Sequence, residues 1–354
     1  MTGNNSKKIL SPILLVIGVV SFIAALIIDF MELGFEFRGT LLIIGILGIL
    51  LGLFTFPTEK YHRNIVNFVF LFPLLFTFGV TVIIPLILGI GYSFTDWDGI
   101  MVGNFVGFDN YVKAFQQPSF LYSILLTALF VVINMILVNL VAFLLALLCS
   151  SKMKGVGFFR ATYFLPNLIG GIVLGYIWQF AFSKALLGLT EKLFGLNYSI
   201  LSETKFAFWC IIIVYIWQYA GYIMLIYITG LNTVPREVLE ASAIDGANAW
   251  STLFQIKIPM IASTITICTF LTLTNAFKMF DVNLSLTGGN GSVQNFLGGS
   301  LTNGTEMLAL NIYSTAINKN NYALGQAKAV LFFIILAVVS IVQVRVSNKK
   351  EVEM

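Results

Sequence analysis

The sequence predicts an all-α integral membrane protein with about eight transmembrane helices. Two observations support this fold class. Of the 354 residues, 58% are hydrophobic and only 10% are charged, whereas a soluble domain carries roughly 25% charged residues. The apolar residues also fall in long runs, and a helix needs about 20 mostly apolar residues to cross a bilayer.

Eight such runs follow one another along the chain. They are Pro12–Ile28, Thr40–Phe56, Val66–Tyr92, Leu121–Cys149, Arg160–Phe182, Phe206–Leu231, Ile258–Asp281 and Leu324–Val346. Lys7 and Lys8 precede the first run, as in a signal peptide, but the run is long and lacks a small-residue cleavage site, so we expect an uncleaved helix. The expected domains are an N-terminal transmembrane hairpin (residues 1–64), a transmembrane core (65–349) and a cytoplasmic tail (350–354).

The lysines and arginines predict the orientation, because cytoplasmic loops of membrane proteins are enriched in them. With the N-terminus in the cytoplasm, most of the 20 basic residues fall in short cytoplasmic loops. The others, including Lys278 and Lys328, are assigned to the longer outer loops. An even number of spans returns the C-terminus, with Lys349 and Lys350, to the cytoplasm. We therefore expect a multi-pass protein with both termini inside the cell.

The composition argues against several classes of function. The net charge of +4 is small and spread along the chain, so no nucleic-acid partner is expected. A single histidine and three widely separated cysteines provide neither a metal site nor a disulfide framework. We expect Cys149, Cys210 and Cys268 to be buried, unreactive thiols. A membrane-embedded enzyme would need a cluster of catalytic side chains, which the sequence does not supply.

Ionisable residues are nearly absent from the apolar runs. Lys278 and Asp281, near the outer end of the seventh run, are spaced as a local ion pair. Intramembrane acids and bases mark proton and ion pathways. An ion-coupled carrier is therefore the less favoured alternative.

The segment 232–259, between the sixth and seventh runs, predicts a helix–turn–helix at the cytoplasmic membrane face. Pro235 suits the first turn of a helix, with Asn232 or Thr233 as its cap. Gly246 predicts a left-handed helix end, and a second short helix from about Ala249 leads to a proline that opens the next span. Its small residues, which permit close approach by another surface, are Ala241, Ser242, Ala243 and Ala247.

This segment resembles the loop signature of binding-protein-dependent ABC importer permeases, which reads Glu-Ala-Ala, three residues, Gly, nine residues, Ile-x-Leu-Pro. The matching residues are Glu240, Ala241, Ser242, Gly246, Ile256 and Pro259. Serine replaces the third signature residue, and Ile258 replaces leucine. Asp245-Gly246-Ala247 resembles the sugar-transporter branch of the family.

Further stretches extend the resemblance over roughly Val66–Val346. They are Val106–Tyr111, Phe159–Pro166, Leu286–Gly289, and then Thr305, Glu306, Tyr313 and Gly325. Between Gly291 and Thr305 the chain is longer than the family pattern. The first two runs match no family motif, although a maltose-type subunit also carries an added N-terminal hairpin.

The resemblance implies a MetI-like, type I ABC importer permease fold with an extra N-terminal helix pair, in a bacterial plasma membrane. It implies the permease subunit of an ATP-driven oligosaccharide importer that forms half of the translocation path. The implied partners are a second homologous permease, a cytoplasmic ATPase dimer, an extracellular or periplasmic solute-binding protein, the sugar substrate and membrane lipid. The chain has no phosphate-binding loop, so ATP and Mg²⁺ are expected on the ATPase, and this chain is expected to be a transport subunit rather than an enzyme.

The resemblance also implies the residues that act. Coupling to the ATPase is expected from Glu240, Ala241, Ser242, Asp245, Gly246, Ala247, Ile256 and Pro259. The sugar path is expected to involve Gln218, Tyr222, Asn275, Trp217 and Phe277. The aromatic residues also fit helix packing or an interfacial belt, and the amides also fit ties between helices. Glycerol phosphate or another non-sugar solute stays open as the substrate.

Overall fold

The computed structural model describes residues 3–31, 37–55, 62–150, 154–195 and 198–348. The chain forms two compact units, residues 1–88 and 89–354. The boundary between them falls inside the helical segment that ends at Tyr92. The expected tail 350–354 lies outside the described residues, and the expected domain boundary near residue 64 stays a prediction.

The first unit is a set of apolar helices. They are α1 (Gly3–Phe30), α2 (Arg38–Phe54), α3 (His62–Phe78), a π-helical turn (Gly79–Ile83) and α4 (Ile84–Tyr92), whose last residues belong to the second unit. Helices α1 and α2 approach closely at Gly18 and Gly48, where a Cβ on Gly48 would stand 2.8 Å from the Gly18 Cα. Small residues allow such backbone contact between membrane helices. The Ser11 hydroxyl adds a hydrogen bond, donated to the Gly52 carbonyl at 2.7 Å.

The second unit contains the remaining elements. They are α5 (Asp109–Gln116), α6 (Pro118–Cys149), α7 (Val156–Leu168), α8 (Gly171–Phe180), α9 (Leu187–Phe194), α10 (Thr204–Asn232), α11 (Arg236–Ile244), α12 (Ala249–Ser251), α13 (Ile258–Met260), α14 (Ala262–Phe277), α15 (Asp281–Leu286), β1 (Val293–Phe296), β2 (Gly299–Leu301), α16 (Leu308–Tyr313) and α17 (Tyr322–Asn348). The antiparallel strands β1 and β2 form one hairpin. Short π-helical turns follow α8, α12 and α16, and a 3₁₀ turn precedes α10.

Helix α10 is the most buried span of the second unit, and it packs against α6, α7 and α14. Tyr215 meets Phe130 of α6 edge-on, with ring centroids 5.2 Å apart. Tyr227 donates a hydrogen bond to Asn139 Oδ1 at 2.9 Å, and Asn139 Nδ2 donates to Thr272 Oγ1 at 3.2 Å. These bonds tie α6, α10 and α14 together inside the bundle. All three cysteines are buried, as expected.

Five described helices are long and apolar enough to cross a membrane, and two bent helix pairs raise the number to seven. The count of about eight stays a prediction, because it also requires the 17-residue α2. The run Arg160–Phe182 is not one straight span: α7 and α8 meet at 99°. The run Ile258–Asp281 is also broken, by a 73° bend before α14 and a second break after it. Hydropathy describes which residues a run contains, and it does not show whether the helix over that run is straight or bent.

Candidate functional site

The first helix of the segment 232–259 begins one residue later than the sequence predicts. Helix α11 starts at Arg236, and Pro235 occupies the N-cap position with an extended backbone. The expected side-chain caps are wrong. Asn232 is the last residue of α10, and the Thr233 hydroxyl donates a hydrogen bond back to the Gly230 carbonyl at 2.7 Å.

The end of α11 confirms the left-handed stop at Gly246, whose backbone φ is +77°. The Gly246 N–H donates to the Ala243 carbonyl at 3.2 Å, and the Ala247 N–H donates to the Ser242 carbonyl at 2.9 Å. This pair of bonds is the Schellman motif, which satisfies the last carbonyls of a helix. Ser242 itself is buried, and its hydroxyl donates to the Leu239 carbonyl. Its side chain is therefore not part of the surface that a partner could reach.

The second helix begins at Ala249, as expected. The Asn248 side chain caps it by accepting a hydrogen bond from the Ser251 N–H at 2.8 Å. One expectation is wrong here: Pro259 does not open the span. It lies in α13, before the bend, and the spanning helix α14 begins at Ala262.

Large apolar side chains project from this segment, both from α11 and from Ala249–Met260, the first arm of the bent helix pair. Ile244 is 87% exposed, Trp250 70% and Phe254 58%. Trp250 and Phe254 stack on each other with ring centroids 5.8 Å apart. Exposed aromatic and aliphatic groups of this kind mark contacts with another protein or with the membrane. These three residues were not predicted from the sequence, although large apolar residues between two apolar runs were a usable signal.

A polar cavity of about 330 Å³ opens where two helices are interrupted. Its walls come from the α7–α8 break, from α10, and from the α14–α15 break. The lining residues are Asn167, Ile169, Gly170, Gly171, Gln218, Tyr219, Asn275, Lys278, Met279, Phe280, Asp281 and Val282. Two residues of the predicted sugar path, Gln218 and Asn275, therefore lie on one cavity.

The polar side chains of this cavity have few partners within the protein. Gln218 is only 6% exposed, and its one hydrogen bond, from Nε2 to the Ile169 carbonyl, is long at 3.5 Å. In the part of the chain that the structure describes, the side chains of Asn167, Asn275, Lys278 and Asp281 make no hydrogen bond or ion pair. Gln218 is buried and Asn275 is part-buried, so their amides keep hydrogen-bonding capacity that a polar ligand can use. Lys278 and Asp281 are exposed at the cavity.

The expected ion pair between Lys278 and Asp281 is wrong. Lys278 caps the end of α14, whereas Asp281 begins α15. Residues three apart share a face only when one helix is continuous between them. The break therefore separates the two charges and leaves both of them at the cavity.

Close packing of α8 and α15 places the two helix starts side by side. A Cβ on Gly171 would stand 2.7 Å from the Asp281 Cβ, and a Cβ on Gly175 would stand 1.9 Å from the Ser285 Oγ. Interrupted helices in membrane proteins occur where the freed backbone is buried in protein or lines a polar cavity. Asn167 was not predicted from the sequence, and Lys278 and Asp281 were not predicted to lie at this cavity.

The other residues of the predicted path lie elsewhere. Trp217 lines a separate apolar groove of about 580 Å³ together with Pro166 and Ile213. Tyr222 is half-buried against the core, and Phe277 is buried within it. The structure thus brings together Gln218 and Asn275 but not the aromatic residues, and the roles of all five stay predictions.

A second polar cluster has the opposite character, because its groups are paired. Lys328 is completely buried, and its Nζ donates to Asn311 Oδ1 at 2.9 Å and to Thr315 Oγ1 at 2.7 Å. Asn311 Nδ2 donates in turn to Glu306 Oε2 at 3.1 Å. The ammonium also lies 5.1 Å from the centroid of the Phe120 ring. The assignment of Lys328 to an outer loop is therefore wrong: it lies in α17, and this cluster holds its charge.

The comparison with known proteins decides the family. Residues 99–352 match the family described as "Binding-protein-dependent transport system inner membrane component". The chain belongs to this family. It is a multi-pass membrane permease and a transport subunit, which confirms the resemblance in the loop segment.

Two curated relatives carry sugar-related names. A probable starch degradation products transport system permease protein of Thermoanaerobacterium thermosulfurigenes is 41% identical over 297 residues, covering 83% of this chain and 98% of the relative. A multiple sugar-binding transport system permease protein of Streptococcus mutans is 29% identical, covering 76% of this chain and 90% of the relative.

A solved structure shares the fold. It is a bacterial alginate ABC transporter in complex with an alginate pentasaccharide-bound periplasmic protein. One of its chains matches with a TM-score of 0.69 and 18% identity, covering 82% of this chain and 96% of that chain. The fold of this permease is thus that of an ABC importer subunit.

Proposed function

We propose that this permease is the subunit of an ATP-driven oligosaccharide importer and forms half of the translocation path together with a second, homologous permease. The main support for the proposal is the polar cavity between the interrupted helices, where the amides of Gln218 and Asn275 have no strong hydrogen-bond partner. The sugar-related names of the two relatives support the substrate class.

Sugar hydroxyls both donate and accept hydrogen bonds, and so do the side-chain amides of Gln218 and Asn275. Both amides face the cavity without a strong partner of their own. The sugar replaces water there and satisfies them. The sugar ring also stacks on the aromatic faces of Tyr222, Trp217 and Phe277. These contacts form as the helices move between inward-open and outward-open states.

Coupling to ATP hydrolysis is assigned to the segment 232–259. A dimeric cytoplasmic ATPase binds ATP and Mg²⁺, and its closure shifts α11 as a rigid body. The contact surface is formed by Glu240, Ala241, Asp245, Gly246, Ala247, Ile256 and Pro259, with Ser242 packed beneath them. Ile244, Trp250 and Phe254 add exposed apolar side chains to this surface.

The length and the two ends of α10 support one orientation of the chain across the membrane. The helix has 29 residues, about 43 Å at 1.5 Å per residue, which is longer than a hydrocarbon core of about 30 Å. Its Asn232 end leads into the coupling segment, so the Thr204 end faces outside, where a solute-binding protein delivers the sugar. Both chain termini then lie in the cytoplasm of a bacterial cell.

A phosphate-bearing solute such as glycerol phosphate is the second candidate. It is favoured by one observation, the unpaired ammonium of Lys278 at the cavity. Lysine is a common phosphate ligand. The neighbouring Asp281 carboxylate opposes an anion, so we rank neutral oligosaccharides first.

Uptake into proteoliposomes tests the proposal. The complex of this chain, its partner permease, its ATPase and its binding protein would be supplied with ATP and with labelled neutral oligosaccharides or glycerol phosphate. We expect ATP-dependent accumulation of at least one oligosaccharide. Accumulation of glycerol phosphate alone would overturn the substrate class, and accumulation without the ATPase would overturn the transport mechanism.

A further inference from the structure

The hairpin β1–β2 lies between α15 and α16, where the family resemblance predicts a longer chain. At its tip, Leu297 has a backbone φ of +49° and a side chain that is 67% exposed. A left-handed backbone is rare for a bulky residue. The next residue, Gly298, is also left-handed at a φ of +80°, and the two residues form the tight turn between β1 and β2 that fixes this backbone. The tip therefore presents an apolar side chain outward in a constrained conformation.

The hairpin is fixed over the first turns of α6 and α10. The Tyr122 hydroxyl donates to the Gly304 carbonyl at 3.0 Å, and the Tyr122 ring meets the Phe296 ring edge-on with centroids 5.2 Å apart. On the other side, the Thr204 hydroxyl donates to the Ser292 carbonyl at 2.8 Å. These contacts fix the position of the hairpin tip relative to the first turns of α6 and α10.

An apolar recess of about 300 Å³ lies between the tip and α6. It is lined by Leu121, Ile124, Leu125, Phe296 and Leu297. Helix α6 has 32 residues, about 48 Å, and therefore extends past a hydrocarbon core of about 30 Å at its ends. With α6 centred on that core, its first turns, and the recess beside them, would lie at the boundary between acyl chains and headgroups.

The recess continues into a stripe of exposed apolar side chains along α6. The stripe consists of Leu125, Leu129, Val132, Ile136 and Leu140. These positions recur every three or four residues and so share one helix face. An exposed apolar face on a membrane-spanning helix suits acyl chains, and the recess is the end of that face.

The chemistry of the hairpin also fits a membrane interface. No charged residue occurs between Asp281 and Glu306, and the exposed polar groups, Gln294 and Ser300 among them, are uncharged. The two strands pair only with each other, so their outer edges need water or headgroup partners, which fits the membrane interface and not the hydrocarbon core. Tyr122, with an apolar ring and a hydroxyl, is a residue type enriched at this depth.

We propose that the hairpin tip is a lipid-binding element. Phe296 and Leu297 contact the acyl chain of a phospholipid just below its glycerol, and the recess beside α6 holds that part of the chain. The partner is membrane lipid, and the element anchors the loop 287–307 to the bilayer. The proposal depends on the membrane position of α6 and not on the identity of the transported solute.

Site-directed labelling in the assembled complex tests this contact. Because the three native cysteines of this chain are buried, Leu297→Cys gives this chain one accessible thiol for a fluorophore, and the partner subunits would be prepared without accessible cysteines. Gln294→Cys, on the same hairpin and also exposed, is the matched control. Both labelled complexes would be placed in nanodiscs of phosphatidylcholine whose acyl chains are brominated near the headgroup end. Bromine quenches the fluorophore only on close approach.

We expect the label at position 297 to lose most of its fluorescence and the label at position 294 to lose little. Equal, weak quenching at both positions would overturn the proposal. It would also be overturned if the label at position 297 were unquenched by lipid but changed its emission when the binding protein was added, since the tip would then be a protein contact.

Discussion

Asp281 lies directly against Gly171, so that a Cβ on the glycine would stand 2.7 Å from the Cβ of the aspartate. This contact brings the starts of α8 and α15 together beside the polar cavity. Four residues further along each helix, Gly175 meets Ser285 in the same way. The cavity therefore depends on glycine at two positions spaced one helical turn apart.

The packing of α8 on α15 predicts that Gly175→Ala destabilises the protein. The added methyl would overlap the Ser285 Oγ, only 1.9 Å from the ideal Cβ position, and overpacking costs about 1–3 kcal/mol. Thermal unfolding in detergent would show a lowered Tm. The matched control is Gly157→Ala on α7, where nothing lies within 4 Å of an added Cβ and alanine is the better helix former. An unchanged Tm for Gly175→Ala would show that the two helices are not held this closely.

Substitutions of the cavity amides should change sugar transport but not thermal stability. Gln218→Leu and Asn275→Leu remove amides that have no strong partner in the protein, so the Tm should stay close to that of the wild type. The half-saturating sugar concentration for uptake should rise about tenfold for each lost contact, which corresponds to about 1.4 kcal/mol.

Asn283→Leu is the control for the cavity variants. Its amide donates to the Thr305 carbonyl at 2.8 Å and accepts from the Met307 N–H at 3.0 Å, and loss of one partner leaves buried groups unsatisfied. We expect it to lower the Tm. If Gln218→Leu lowered the Tm as strongly and left uptake unchanged, the amide would be a tie between helices and not part of the path.

Gly246→Val should abolish uptake while the protein still inserts and assembles. Valine disfavours the left-handed backbone that Gly246 adopts at a φ of +77°, so the turn between α11 and α12 would change. Gly195→Val is the matched control, since Gly195 ends α9 with a φ of +68° outside the coupling segment. Equal losses of uptake in the two variants would mean that backbone strain alone, and not coupling, explains the effect.

Trp250→Ala should weaken the complex with the ATPase without changing the Tm of the permease. The indole is 70% exposed and packs only against Phe254 among the described aromatic rings, so its removal leaves no cavity inside the chain. Exposed tryptophans at interfaces contribute about 2 kcal/mol or more to binding. Dissociation of the detergent-solubilised complex would be followed by size-exclusion chromatography, with the exposed Trp209 of α10, replaced by alanine, as the control.

The buried cluster around Lys328 predicts non-additive effects on stability. Lys328→Met leaves Glu306 as a buried carboxylate without its linked cation, at a cost on the order of 3 kcal/mol. Lys328→Met combined with Glu306→Gln should cost less than the sum of the single variants, because no isolated charge remains. Unfolding of the four proteins would be compared. Strict additivity would show that the two charges do not interact through Asn311.

The sequence predicted the features that local chemistry determines. Gly246 ends a helix because only glycine adopts its backbone conformation easily, and the apolar runs predicted a membrane protein because bilayer thickness sets their length. The breaks beside Gly170 and Lys278 could not be read, since an interrupted helix has the same composition as a straight one. Lys328 was misplaced because its partners, Asn311 and Thr315, are brought to it only by the tertiary fold.

The most direct test of sugar-coupled transport is the ATPase activity of the reconstituted complex, measured with and without sugar-loaded binding protein. We predict that one oligosaccharide stimulates hydrolysis, that Gly246→Val removes the stimulation, and that Asn275→Leu shifts it to higher sugar concentration. Hydrolysis that no sugar stimulates, or stimulation that is unchanged in Gly246→Val, would contradict the proposed coupling of a sugar path to the segment 232–259.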